Sequence, residues 1–390
     1  MIMKKAMSLI ILTLTVLTAC SQNLTPTYSD VDYVGNGNSK QMLDLYIPAG
    51  VTTPTPLIIH IHGGAFMMGS KGVAEQPSFV TFYNNGYICA DLNYRLSGDT
   101  LWPAQIHDCK AAVRFLKVHA AEYHIDTCRI GVIGESAGGN LVSMLGTTGG
   151  VAELEGLHLG SIHATSRVQA VVDLFGPINF LTMDAEALAL GFVINTNSAT
   201  SPESKLMGAP VQTIPELVTK ANPTTYISAD DAAFFISAGD IDQNIPYTQG
   251  QNLCTAMVPV IGSSRASFEL MAGQGHGGSF WHNSTQDAKY LAFFNTYLDG
   301  NCATVGTIDE RHIHQDLGIY PNPFQQYFTL QLPDDHLFDV HILDITGRTV
   351  MTKMGVSGNQ TLNGSNFDTG TFLVRATGEK LILTGKLMKQ

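Results

Sequence analysis

The sequence predicts an α/β protein in which a mostly parallel sheet is covered by helices on both faces, followed by a small all-β unit. Three observations predict it. Short β-rich apolar runs alternate with helical patterns from Pro56 to Leu298, the composition changes after Asn301, and β-rich segments then follow one another closely to the C-terminus. With 390 residues, 44% hydrophobic and 14% charged, the chain can bury a full core and is not disordered. That length suits one large and one small domain.

The first element is a leader. Lys4 and Lys5 precede an apolar run from Met7 to Val16 and then Leu17-Thr18-Ala19-Cys20-Ser21, the charged, hydrophobic and cleavable pattern of a signal peptide over residues 1–21. The run is shorter than the ~20 residues a membrane span needs, and threonines interrupt it. No other stretch is long enough, so no transmembrane segment is expected in the mature protein. The Leu-Thr-Ala-Cys sequence resembles a lipobox that would lipidate Cys20, while Ala19-Cys20-Ser21 equally suits ordinary cleavage before Gln22. Either way the protein is expected to be secreted or held at the cell surface.

Residues 22–300 are expected to form the large domain. Its strands are LIIHI at 57–61, YICADL at 87–92, RIGVIG at 129–134, VQAVVDLF at 168–175, AFFISA at 233–238 and FELMAG at 268–273. Near-continuous apolar runs of this kind suit strands buried on both faces. Between them Ile106, Cys109, Val113, Leu116 and Ala120 recur at helical spacing, as do Tyr290, Phe294 and Leu298. Repeated β-then-α units imply the parallel sheet. The stretch 176–221 breaks the rhythm and is expected to be a cap over the strand ends.

Residues 301–316 read as a linker. The remainder, 317–390, contains YFTLQL, FDVHILD, TVMTKM, FLVRATG and KLILTG, separated by turn signals such as Pro321-Asn322-Pro323 and Thr346-Gly347-Arg348. This pattern predicts a small β-sandwich.

A formal charge of −12 disfavours nucleic acid or anionic lipid as partner, because phosphate binding needs a basic surface. A small or neutral substrate fits better. Beyond the leader the cysteines are Cys89, Cys109, Cys128, Cys254 and Cys302, an odd number without zinc-like spacing. His60-x-His62 and His312-x-His314 each lack a third ligand, so no metal site is expected. A core of this size does not need disulfides, and most of these cysteines read as buried thiols.

The chemistry centres on Gly134-Glu135-Ser136-Ala137-Gly138, which follows an apolar strand and precedes a helical segment. That is the strand, sharp turn and helix a nucleophile elbow requires, with glycines admitting the strained turn and the helix N-terminus facing developing negative charge. His62-Gly63-Gly64 follows the strand LIIHI, so the N–H groups of Gly63 and Gly64, with that of Ala137, form the expected oxyanion hole. A serine hydroxyl needs a base, and His276, flanked by glycines just after a late strand, is best placed. His60, His107, His119, His124, His158, His163 and His282 have no comparable position and read as structural or surface residues. The carboxylate partner is expected at Asp242, in the loop after AFFISA, with Asp240 as its rival and otherwise a turn residue. Pro246 is placed to open the next helix. Phe66, Trp102, Phe175, Phe280 and Trp281 lie beside these motifs and are candidates for the substrate pocket or for core packing.

The motifs Asp91-Leu-Asn-Tyr94-Arg95-Leu-Ser97, Trp102-Pro103-Ala104, Gly134-Glu-Ser-Ala-Gly-Gly139 and Val172-Asp-Leu-Phe-Gly176 resemble bacterial α/β-hydrolase esterases, in the group of feruloyl and acetyl esterases near the hormone-sensitive lipase branch. The resemblance covers roughly residues 30 to 300 and implies an α/β-hydrolase fold with Ser136 as nucleophile, His276 as base, Asp242 as acid, and Gly63 and Gly64 in the oxyanion loop. Two positions depart from the family's Gly-Asp-x-Asp-x-x-Val-Pro pattern: Ala238 stands where relatives often have His, and Ile245 replaces Val. The tail resembles the C-terminal sorting domain of type IX secretion cargo through Tyr320-Pro-Asn-Pro-Phe324, Leu343-Asp-Ile-Thr-Gly-Arg-Thr-Val350, Thr369-Gly-Thr-Phe-Leu-Val-Arg375 and Lys386-Leu-Met-Lys389. This implies passage across the outer membrane of a Gram-negative bacterium by the type IX machinery and removal of the tail.

The expected function is that of an exported serine carboxylesterase acting without cofactor on short-chain or aryl esters, such as acetyl or feruloyl groups on plant polysaccharide. Two alternatives stay open: a serine peptidase of the prolyl oligopeptidase kind, and a catalytically inactive surface-binding protein.

Overall fold

Eight strands build the principal sheet of the computed structural model, which describes residues 24–72, 77–162, 164–300, 313–334, 337–345, 348–378 and 381–390. The leader with Cys20, and most of the expected linker, lie outside the described residues. The strands are β1 (Tyr28–Asp32), β2 (Met42–Tyr46), β3 (Thr55–Ile61), β4 (Ile88–Leu92), β5 (Ile125–Glu135), β6 (Ala170–Leu174), β7 (Ala233–Gly239) and β8 (Ala266–Met271), in the order β1-β2-β4-β3-β5-β6-β7-β8. From β4 through β8 all neighbours are parallel, and β1 and β2 add an antiparallel edge. The six strands predicted from apolar runs are the six parallel ones. The edge pair, YSDVD and MLDLY, is punctuated by aspartates and carries no comparable run.

Helices α1 (Pro77–Asn84), α2 (Ala104–Val118), α3 (Ala120–Tyr123), α4 (Ala137–Thr147), α5 (Met183–Ala189), α6 (Pro202–Met207), α7 (Pro215–Thr219), α8 (Thr248–Ile261) and α9 (Ser284–Leu298) complete this part. Alternate strand residues serve opposite faces. Leu57, Ile59 and Ile61 of β3 join a core with Ile106 and Val113 of α2, Leu141 of α4 and Leu253 of α8. Ile58 instead meets Phe79 and Phe82 of α1 and Tyr290 and Phe294 of α9. A strand that feeds two cores is apolar on both faces, which is why these runs do not alternate. The segment expected as a cap holds α5, α6 and α7. Cys89, Cys109 and Cys254 are buried free thiols, whereas Cys128 is disulfide-bonded.

Beyond residue 312 the described residues form β9 (Ile313–Asp316), β10 (Gly318–Tyr320), β11 (Tyr327–Gln331), β12 (Phe338–Asp344), β13 (Thr349–Val356), β14 (Asn359–Asn363), β15 (Gly370–Thr377) and β16 (Leu381–Lys389). They make a three-stranded sheet, β10-β11-β14, and a five-stranded one, β13-β12-β15-β16-β9. Phe328 and Leu330 of the first share one core with Val340 and Ile342 of β12 and Phe372 and Val374 of β15. The strict alternation of buried residues in β12 and β15 made these strands legible. The polar segment NQTLN of β14 gave no such signal.

Candidate active site

Ser136 lies between the end of β5 and the start of α4, with φ 53° and ψ −119°. A non-glycine residue there is strained and persists only where its surroundings fix it. The flanking glycines are required by contact: a Cβ on Gly138 would come 2.0 Å from the carbonyl oxygen of Ile61, and one on Gly134 would come 2.4 Å from that of Gly138. Only bare backbone lets the turn press against the end of β3. Ser136 N–H donates to the carbonyl of Leu174 at 2.9 Å, tying the turn to β6.

The neighbouring strand ends deliver the other groups. His276, after β8, places Nε2 2.9 Å from Ser136 Oγ, and its Nδ1 lies 2.7 Å from Asp242 Oδ2. Asp242, after β7, is 1% exposed, and its Oδ1 accepts from the N–H groups of Asn244 at 2.8 Å and Ile245 at 3.0 Å. These two donors fix the carboxylate so that its second oxygen faces the imidazole, and the Nδ1–H then donates to it, leaving the Nε2 lone pair toward the serine hydroxyl. Asp240 turns elsewhere: its Oδ1 accepts from Gly273 N–H at 2.6 Å. Ala238 is buried in β7 and Ile245 presents its N–H rather than its side chain to Asp242, so neither departure removes a group from this arrangement.

Gly63 and Gly64 lead from β3 into a tightly wound loop. A Cβ on Gly63 would lie 3.4 Å from Ser136 Cβ, so this backbone runs beside the hydroxyl. Gly64 has φ +109°, and a Cβ there would come 2.1 Å from the Met68 carbonyl oxygen, which accounts for the second glycine. Ala137 is the first residue of α4, where N–H groups lack intrahelical partners. The loop is backed by His62, whose ring stacks on Tyr94 at 4.4 Å while the Tyr94 hydroxyl donates to the His62 carbonyl. Burial holds the His62 imidazole below its ordinary pKa.

The aromatic candidates divide. Phe175, itself at φ 46°, sets its ring edge-on against His276 at 4.9 Å, and Phe280 is half-buried beside that loop. Trp281, left open between pocket wall and core packing, is fully buried beneath the loop, where its indole N–H donates to the Gly275 carbonyl. Phe66 and Trp102 are also buried, both within the core that holds α2 and α4. For these three, the apolar area is already covered by the protein itself.

One constellation escaped sequence reasoning, which set His60 and His282 aside as structural. Both converge on Glu135, the residue before Ser136: His282 Nε2 lies 2.9 Å and His60 Nε2 3.8 Å from its Oε1. The strand period held the signal, because His60, Asp91 and Glu135 share the parity of Ile58, Cys89 and Ile133 and so face the α1 and α9 side. Burial opposes charge on both partners, yet the hydrogen bond to Asp91 and the nearby Glu135 carboxylate hold His60 up at about 9, and His282 and His60 keep Glu135 well below the ordinary carboxylate range.

Residues 43–257 match the BD-FAE family, and residues 318–390 match the secretion system C-terminal sorting domain. The chain is similar to the probable carboxylic ester hydrolase LipM of Mycobacterium tuberculosis, 31% identical over 202 residues that cover 52% of this chain and 44% of LipM. It spans about half the length of the curated relatives it matches. Among solved structures it resembles a truncated carbohydrate esterase from gut microbiota, with TM-score 0.66 and 28% identity over 72% of this chain and 99% of that one. A bifunctional GH43-CE protein of Bacteroides eggerthii gives TM-score 0.61 and 30% identity over 69% of this chain and 38% of that one. By its matched sequence and its mixed eight-stranded sheet, the chain belongs to the BD-FAE family of α/β-hydrolase esterases.

Proposed function

We propose that this protein is an exported serine carboxylesterase that removes short acyl or aryl groups, such as acetyl or feruloyl, from carbohydrate. The observation that supports it most is the unbroken line from Asp242 through His276 to Ser136, with contacts of 2.7 and 2.9 Å. Ser136 Oγ attacks the ester carbonyl while His276 Nε2 takes its proton. Asp242 orients the imidazole and stabilises the imidazolium that forms. The oxyanion is received by the N–H groups of Gly63, Gly64 and Ala137, each donor of this kind being worth about 2.7 to 4 kcal/mol. His276 then protonates the leaving alcohol, the acyl group stays on Ser136, and a water activated by the same imidazole releases the acid.

Carbohydrate as the leaving group is supported by the solved relative described as a carbohydrate esterase from gut microbiota. The acidic overall charge suits a neutral substrate. Export is supported by the sorting-domain match, with the type IX secretion machinery as partner.

The test is a panel of acetylated xylan, methyl ferulate and p-nitrophenyl esters of rising acyl length, with Ser136→Ala as control. Hydrolysis of acetylated xylan or methyl ferulate that is lost in the variant supports the reading. Cleavage of amide but not ester analogues would replace it with a peptidase.

A further inference from the structure

The three loops that assemble the site are also joined behind it, through Glu135. On one side His60 Nδ1 lies 2.9 Å from Asp91 Oδ1, and the other oxygen of Asp91 accepts from Gly72 N–H, at the far end of the loop that begins with Gly63. Lys71 anchors that loop further, its ammonium 2.7 Å from Asp44 and 2.8 Å from Asp30. On the other side His282 comes from the segment that carries His276. Its Nδ1 is 3.1 Å from Ser78 Oγ, and Ser78 in turn donates to Asp287 of α9. Since Ser78 donates to Asp287, its oxygen accepts from His282 Nδ1–H. His282 approaches Glu135 closely without a straight hydrogen bond, and His60 Nε2 faces the same carboxylate oxygen at longer range.

We propose that Glu135 is a positioning residue, its carboxylate gripped between His60 and His282 so that the serine turn, the glycine loop and the His276 loop share one geometry. The inference rests on the ester-hydrolase reading above. Glu135 does not touch the reacting atoms. It acts through Ser136, the next residue, whose strained backbone needs support from both sides. The other titratable groups facing the cluster are His62 of the glycine loop, Tyr46 of β2, and Tyr290 and Asp287 of α9.

The experiment compares Glu135→Gln, Glu135→Asp and Ser78→Ala with the unaltered full chain on p-nitrophenyl acetate, measuring kcat and KM from pH 6 to 10 and labelling of Ser136 by a fluorophosphonate. Glu135→Gln keeps the volume and removes the charge. We expect kcat to fall about ten- to a hundredfold with KM within about twofold. Without the Glu135 carboxylate His60 loses its proton at lower pH, so a kcat that depends on the intact cluster should begin to fall at lower pH than in the unaltered chain. Glu135→Asp should recover part of the loss. Should Glu135→Gln not fold, Ser78→Ala, which frees only the far side of His282, should show a smaller loss of kcat in the same direction. A wild-type protein that is active beside a folded Glu135→Gln or Ser78→Ala variant with unchanged kcat and unchanged pH profile would overturn the positioning role and leave the esterase reading standing. A wild-type protein that neither hydrolyses the ester nor takes the label overturns both.

Discussion

Among the described residues, every buried polar or charged side chain lies between Gln41 and Asp287, and none lies in the C-terminal sheets. Non-glycine residues with positive φ divide the same way, running from Asp30 to Phe175. The C-terminal core is made instead of alternating apolar side chains such as Phe338, Val340 and Ile342. Strained backbone costs about 1 to 3 kcal/mol per residue, and buried polar groups need partners to be tolerated. The α/β region accepts both, and four of its seven strained residues, Ala65, Phe66, Ser136 and Phe175, lie on or beside the loops that meet at His276. Where a region keeps to alternation and apolar packing, packing alone explains it. Where strained backbone gathers in one place, a functional site is expected.

The sharpest way to break this division is to remove the nucleophile. Ser136→Ala is expected to lower kcat on p-nitrophenyl acetate about 10⁶-fold while the folded state persists by circular dichroism. Asp242→Asn comes next, with a loss of about 10⁴-fold, because Asn donates where a carboxylate should accept and turns the imidazole to the wrong tautomer. Asp240→Asn, two residues away, is expected to stay within about threefold of wild type. Equal losses at the two positions would mean that the hydrogen bond to His276 does not decide the role. In the C-terminal sheets the expectation reverses. Phe338→Ala should destabilise that core by about 3 to 5 kcal/mol, read as faster hydrogen exchange in β12 and β15, with kcat unchanged. A drop in kcat comparable to that of a site variant would dissolve the contrast between the regions.

Much of this was legible in the sequence because it depends on local constraint. The six parallel strands show as unbroken apolar runs, and the glycines around Ser136 betray a turn pressed against Ile61. Ser136, His276 and Asp242 each follow a strand, and a parallel sheet brings consecutive strand ends to one edge. What escaped depends on contacts between distant elements. β1 and β2 are held at the edge by pairing rather than by their own pattern. Trp281 stands in sequence beside the site, yet it packs downward because Phe175 and the loop above already cover it. His60 and His282 looked ordinary one at a time, and they become informative only when the fold sets both against Glu135.

The gentlest probe of the contrast lies beneath the serine turn. Asp173 of β6 is fully buried, accepting from Ser143 Oγ at 2.6 Å and Gly176 N–H at 2.9 Å, and burial pushes its carboxyl up to about 7. In the unfolded chain the same group ionises near 3.8. Between these values the native state keeps a proton that the unfolded state has given up, so this residue makes stability fall as pH rises from about 4 to 7, by up to about 1.4 kcal/mol per pH unit. Asp173→Asn keeps the shape without the titration. Denaturant unfolding of wild type and variant across that window should therefore show a flatter dependence in the variant, with the two curves diverging progressively toward pH 7. Parallel curves would mean that the carboxyl ionises alike in both states, and that the polar groups buried under the elbow do not bear on stability in the way the contrast with the apolar C-terminal core requires.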